Sequence, residues 1–346
     1  MKKRLLILLA MGLLAFGLLT GCGNEDQPMV YVYNWGDYID EDVLDLFTEE
    51  TGIEVRYEQY DTNEDMYVKV KAGGNAYDVL IPSDYMIEKM IKEDLLFELN
   101  YDNIPNAEQT DPKFLNLAYD PDNLYSIPYM WGTLGIVYDA TVVTDPVDSW
   151  DILWNEKYAK NIIMLDSPRD TIGVALKALG YSMNSTNEQE LQAAKEKLQE
   201  QRPLVLAYLV DQTKEKMMSG EAALAITWAG DALTMMEENE NLRYAVPKEG
   251  SNYFFDAMVI PKTAKNKENA EAFINFMCKP EIAVKNAEYI RYSTPNMGAY
   301  DLLPEEIKND GVGYPADEIL EKCEVFLDPG DAITLYDSVW TELMAQ

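Results

Sequence analysis

Between Met29 and Pro82 the chain sets down three strand signals separated by two helix signals, and this alternation constrains its fold more than any other feature. MVYVY (Met29 to Tyr33) reads as a half-buried strand. From Asp42, the side chains of Val43, Leu44 and Phe47 fall on one helical face, and Gly52 supplies the stop. IEVRYEQY (Ile53 to Tyr60) alternates as a second strand, and a short amphipathic helix with Met66, Val68 and Val70 ends at Gly73 and Gly74. YDVLIP (Tyr77 to Pro82) is almost continuously apolar, which suits a parallel strand covered on both faces. A βαβαβ unit of this kind predicts a doubly wound α/β domain, where ligands bind outside the carboxyl ends of the strands.

Those strand ends carry an unusual set of side chains. Trp35, Asp37 and Tyr38 follow the first strand, and Ser83, Asp84 and Tyr85 follow the third. The second half repeats the device: NIIMLD runs into SPRD with Asp170, and AALAIT runs into WAGD with Trp228 and Asp231. FFDAMVIP places Phe254 and Asp256 just before an apolar strand. One strand-end carboxylate is ordinarily a helix cap. Repeated pairing of acids with aromatics instead predicts a convergent pocket.

Aromatic faces attract organic cations by roughly 0.5–1 kcal/mol when exposed and ~2 kcal/mol or more when desolvated. Carboxylates in the same slot add charge-assisted hydrogen bonds to ammonium groups. Such a slot suits a flexible chain bearing several ammoniums. A sugar site using Trp and Asp, and a ferric site using some of the 23 tyrosines, remain open on the residues alone. An amino-acid receptor needs a basic partner for the α-carboxylate, and the strand-end loops offer only Arg169.

The chain has no histidine, which removes Ser-His-Asp and Cys-His catalysis, His-ligated metals and the usual general base near neutral pH. It also lacks G-x-G-x-x-G, phosphate-loop and G-x-S-x-G patterns, and Asp120 to Tyr125 lacks the glycine of an EF-hand loop. No catalytic residue, cofactor or metal site is therefore expected. An enzyme would have to rely on carboxylates, as does a glycoside hydrolase with two of them roughly 5–9.5 Å apart. Ligand affinity is expected to be flat between about pH 6 and 8. Cys278 and Cys323 have no zinc spacing and either pair or stay as thiols.

Residues 1–21 read as a secretory signal: Lys2, Lys3 and Arg4 precede an apolar run too short to span a membrane comfortably. It ends in LTGC, which resembles a bacterial lipoprotein signal in which Cys22 is lipidated and becomes the mature N-terminus. The remaining length suffices for about two domains. Without the leader, 25 basic residues face 61 acidic ones. Such a surface repels nucleic acid and anionic lipid and gathers cations. With no low-complexity linker, the two halves are expected to join through strand crossovers. Trp131 suits either a hinge or a pocket wall. Trp150 and Trp154 suit a core-facing helix capped by Ser149, and Glu188 to Gln201 a solvated one.

From about Val30 to Leu343 the motifs YNWGDYI, ETGIEV, AYDVLIPSDY, YSIPYMWGTLGIVYD, LDSPRD, WAGDA, KEGSNYFFDAMVIPKTAKNKE and YSTPN occur in order. As an ordered set they resemble the bacterial spermidine/putrescine-binding proteins, the extracytoplasmic receptors of polyamine ABC importers. The resemblance implies a type II periplasmic-binding fold with lobes at 29–134 plus 256–297 and 135–255 plus 298–346, after a tether at 22–28. It implies a ligand-binding set of Trp35, Asp37, Tyr38, Ser83, Tyr85, Asp170, Trp228, Asp231, Phe254, Asp256 and Tyr292. Its aromatics would sandwich the ligand's methylenes while acids and hydroxyls hold its amines. Lobe closure by a hinge, a lipid anchor outside the bacterial cell membrane or a periplasmic location, ABC permease and ATPase partners, and a monomer are implied too. Ser167 and Phe326 stand where spermidine-preferring relatives tend to have Asp and Gln, and Asp231 where they often have Ser. Tyr85 resembles the spermidine branch, and Asp166 can replace the acid missing at 167 if it turns inward. The balance predicts that putrescine binds at least as tightly as spermidine.

Overall fold

The computed structural model describes residues 27–73 and 76–345; the leader, Cys22 and Gly74 lie outside them. β1 (Met29–Trp35) lies between β2 (Glu54–Tyr60) and β3 (Val79–Leu80), parallel to both. The apolar run around β3 is buried throughout, from Tyr77 to Ile81, although only two residues pair as strand. Helices Asp42–Thr51 and Asn63–Ala72 make the connections and end at Gly52 and Gly73, whose left-handed φ of 73° and 69° favours glycine. Val68 departs from the sequence reading. It is 65% exposed, because Asn63, Met66 and Val70 take the buried face of that helix.

Parallel order ends at the middle of the molecule. β4 (Ser126–Asp139) is fourteen residues long and belongs to two sheets. Its first half pairs antiparallel with β9 (Tyr253–Val259), which also pairs with β3. Its second half, from Leu134, pairs antiparallel with β7 (Leu224–Trp228) and β8 (Leu242–Ala245). β5 (Ile162–Leu165) is parallel to β7 and to β6 (Val205–Leu209), giving the order β2-β1-β3-β9-β4-β7-β5-β6. The register shift between Pro128 and Met130 accommodates a proline that cannot donate to the ladder.

The crossings expected from sequence are thus strands, β4 going out and β9 returning. Asp256 lies inside β9 rather than before it, since pairing already starts at Tyr253 opposite Thr133. Helix Met297–Leu302 packs on helix Pro280–Ile290, while the final helix, Ile333–Met344, packs on helices Pro168–Ala178 and Glu188–Gln201. Trp131 is a core residue, with its ring tilted against Phe114 and edge-on to Tyr253 and Tyr314. Trp150 is fully buried in a 3-10 turn headed by Ser149, and Trp154 packs beside it. Cys278 and Cys323 are free thiols. Among the described residues no helix is long and apolar enough to cross a membrane.

Candidate functional site

The carboxyl ends of β1, β2, β3, β5, β6 and β7 point at one cleft, with β9 crossing its floor. All eleven residues of the expected set line it, together with Asp166, Ser167 and Phe326.

The floor is built around Asp256, 5% exposed. The Tyr38 hydroxyl donates to its Oδ2 at 2.7 Å and the Ser83 hydroxyl to its Oδ1 at 2.6 Å. Ser83 heads helix Asp84–Lys92 without using its side chain as a cap, so the hydroxyl is free for this bond. Burial pushes the Asp256 carboxyl up to about 6; the two hydroxyls oppose that shift and the Asp170 charge adds to it. An ionised carboxylate offers about four acceptor sites. Two are filled, and two remain for a donor arriving from the cleft.

Asp84 beside it does different work. It is wholly buried and accepts the backbone N–H groups of Tyr85 (2.7 Å) and Phe255 (3.1 Å), tying the helix start to β9.

At one end of the cleft Ser167 donates to Asp170 Oδ2 at 2.6 Å. Burial raises Asp170 to about 6 against that bond and the nearby Arg169 charge, and Glu64 adds repulsion. The Tyr85 hydroxyl donates to Glu64 Oε1 and accepts from Asn63 Nδ2, both at 3.0 Å. Phe326 stands edge-on to the Tyr85 ring, with centroids 6.2 Å apart. Asp166 reaches the cleft rim. Arg169 is enclosed by the rings of Tyr85, Phe326 and Tyr336, with centroids 4.6–5.2 Å away, so it is committed to packing and is no carboxylate receptor.

Aromatic walls run between the ends. The Trp35 indole donates to Ile81 O at 2.8 Å and tilts against Tyr60. Tyr292 stands edge-on to Tyr38 at 4.8 Å and near Phe254 at 6.1 Å. A Cβ at Gly230 would sit 2.2 Å from the Tyr292 ring, so only glycine permits this approach. Trp228 closes β7 and leads into the helix that carries Asp231.

At the opposite end Asp37 and Asp231 meet Lys214. Its Nζ lies 3.0 Å from Asp37 Oδ2 and 3.5 Å from Asp231 Oδ1. Two acids of the expected set are thus paired with a lysine of the chain itself. Asp37, in the left-handed region at φ 48°, is also mostly exposed at the mouth.

Sequence reasoning missed Tyr60, Asn63, Glu64, Asp211 and Asn252, which also line the cleft, as well as Lys214 beside it. A usable signal existed for most of these. Asn63 and Glu64 follow β2, and Asp211 follows β6, so they obey the same strand-end rule.

The space open to the centres of water-sized groups is about 90 Å³. The acids are spread along the slot, and among the described residues no three acidic or thiol groups converge to hold a metal ion.

A family model described as bacterial extracellular solute-binding protein matches residues 42–313. The chain is 38% identical to the spermidine/putrescine-binding periplasmic protein of Salmonella typhimurium, over 100% of this chain and 99% of that one. It is 36% identical to a putrescine-binding periplasmic protein of Pseudomonas aeruginosa, over 92% of each. A solved spermidine/putrescine ABC transporter substrate-binding protein from Streptococcus pneumoniae is 48% identical. It matches with a TM-score of 0.80, covering 92% of this chain and 99% of that chain.

Proposed function

The chain belongs to the bacterial extracellular solute-binding proteins, and from that membership and its cleft we propose that it captures a polyamine, putrescine or spermidine, for an ABC importer. The observation that carries this reading is Asp256: a buried carboxylate with two hydroxyl donors and two unfilled acceptor sites, walled by Trp35, Tyr38, Phe254 and Tyr292. An ammonium satisfies those sites, and the rings cover the attached methylenes. A second ammonium is held at Asp170. The protein is a binding protein rather than an enzyme. It hands its ligand to membrane permease subunits driven by a cytoplasmic ATPase, acts as a monomer, and is anchored outside the cell membrane through a lipid on Cys22.

The lobes of this reading follow the sheets. With lobes at 29–134 plus 256–297 and 135–255 plus 298–346, the first two crossings fall in or beside β4 and in β9. The pairing of β4 passes from β9 to β7 at Thr133–Leu134, β9 begins at Tyr253, and closure on this reading bends these strands. Titration calorimetry with putrescine and spermidine, beside a neutral sugar and glutamate as controls, tests the function. Saturable binding of an amine alone supports it, and heats seen only with the sugar or the amino acid refute it.

A further inference from the structure

Lys214 lies on helix Gln212–Met218, just past β6, and reaches across to the loop after β1. Its side chain is 17% exposed, as is that of Asp231. Asp211 is present too: its Oδ2 would be 3.1 Å from a Cβ at Gly36. One ammonium carried by the chain itself is thus paired with Asp37 and Asp231, with the Asp211 charge acting on it as well, and the two sheets contribute from both sides. Along the floor and at the other end of the cleft, Asp256, Asp170 and Glu64 accept side-chain hydrogen bonds from hydroxyls, and among the described residues no salt bridge within 4 Å ties any of them to a basic residue.

We propose that Lys214 is a specificity-determining residue: its ammonium fills the Asp37–Asp231 end of the cleft, so that a bound polyamine finds acids without a basic ion-pair partner only on the side of Asp256, Asp170 and Glu64. The inference rests on the polyamine reading above. A ligand ammonium reaching Asp231 would stand beside Nζ, and like charges at such spacing repel strongly in a partly desolvated site. A diamine avoids that encounter by using Asp256 and Asp170. A triamine long enough to reach past Asp256 does not. Selectivity is then set by a cation already in place, rather than by an acid missing at position 167.

Lys214→Met keeps the methylene stem and removes the charge. Calorimetric titration of putrescine and spermidine is carried out on the full chain, on Lys214→Met, and on Lys214→Met with Asp231→Asn. The expected result is a spermidine-to-putrescine affinity ratio at least tenfold higher in Lys214→Met. The added Asp231→Asn returns it to within about threefold of wild type. A ratio that moves less than twofold in Lys214→Met overturns the proposal. So does a rise that survives Asp231→Asn, since net charge alone would then explain it. If Lys214 were only a latch between lobes, both amines would weaken together and the ratio would stay put. A wild type that binds neither amine removes the polyamine reading itself, a result distinct from bound amines with an unmoved ratio.

Discussion

The hydroxyl of Tyr38, just past β1, donates to Oδ2 of Asp256 in the middle of β9 at 2.7 Å, across 218 positions of sequence. This bond and its counterpart from Ser83 hold the carboxylate plane fixed before any ligand arrives. Removing one partner of a buried charged pair costs roughly 2–5 kcal/mol. Asp256→Asn is therefore expected to weaken putrescine binding by more than about tenfold, since ~1.4 kcal/mol is one decade. Tyr38→Phe removes one neutral donor and leaves Ser83 in place, so its effect should stay below about tenfold. Calorimetry on the two variants checks the order, and an Asp256→Asn change below twofold removes this acid from the site.

Protonation sets a second expectation. Asp256 and Asp170 are both held up to about 6 in the empty cleft, mainly by burial. An ammonium ligand requires them ionised, so affinity is full above about pH 7 and falls as the pH drops through 6. If one must ionise, binding at pH 5 is about tenfold weaker than at pH 7; if both must, about a hundredfold. The flat range expected from the absence of histidine therefore loses its lower edge. Near pH 6 binding should release roughly one proton, measured as a dependence of the heat on buffer ionisation enthalpy. In the ligand-free protein the same groups have folded pKa values above their unfolded ones. Their contribution to stability is present below about pH 4 and lost as the pH rises through 6, so ligand-free thermal stability should rise between pH 7 and 5 from these two groups. A pH-independent affinity from 5 to 7 contradicts the assignment of both acids.

How much of this was legible in sequence follows from how far each signal reaches. Strands and caps are local, so β1 to β3, the stop at Gly52 and the acids after β5 and β7 could be read from neighbours in the chain. The same rule applied to β2 and β6 would have delivered Glu64 and Asp211, but DTNED resembles an ordinary helix cap and VLAYL follows a long solvated helix. The double membership of β4 depends on where β9 and β7 dock, which no local pattern records. Lys214 was invisible for the same reason. One lysine on a short helix carries no sign that Asp37, 177 positions away, lies opposite.

Cys22 lies outside the described residues, and its modification is tested in cells. The wild-type precursor should partition into detergent and accumulate unprocessed under globomycin, which blocks lipoprotein signal cleavage. Cys22→Ala should partition into the aqueous phase. Persistent detergent partitioning of that variant would dismiss the lipid anchor while leaving ligand binding untouched.

The last prediction concerns closure. Gly230 is the second residue of the helix after Trp228, and the Tyr292 ring rests directly on it. A methyl group there would lie 2.2–2.6 Å from three ring carbons, far inside contact distance. The ring is held edge-on by Tyr38 and flanked by Phe254, so it has little freedom to retreat without disturbing the wall around Asp256. Helix propensity alone would make Gly230→Ala mildly stabilising, by up to about 1 kcal/mol. In the proposed lobe division Gly230 and Tyr292 belong to different lobes, so an open form gains the better helix former while the closed form bears the clash. Gly230→Ala should therefore keep or raise thermal stability without ligand, weaken putrescine at least tenfold, and leave the protein more extended at saturating ligand by small-angle X-ray scattering. An unchanged affinity together with an unchanged ligand-bound radius would mean that Tyr292 does not need Gly230 for the cleft to close.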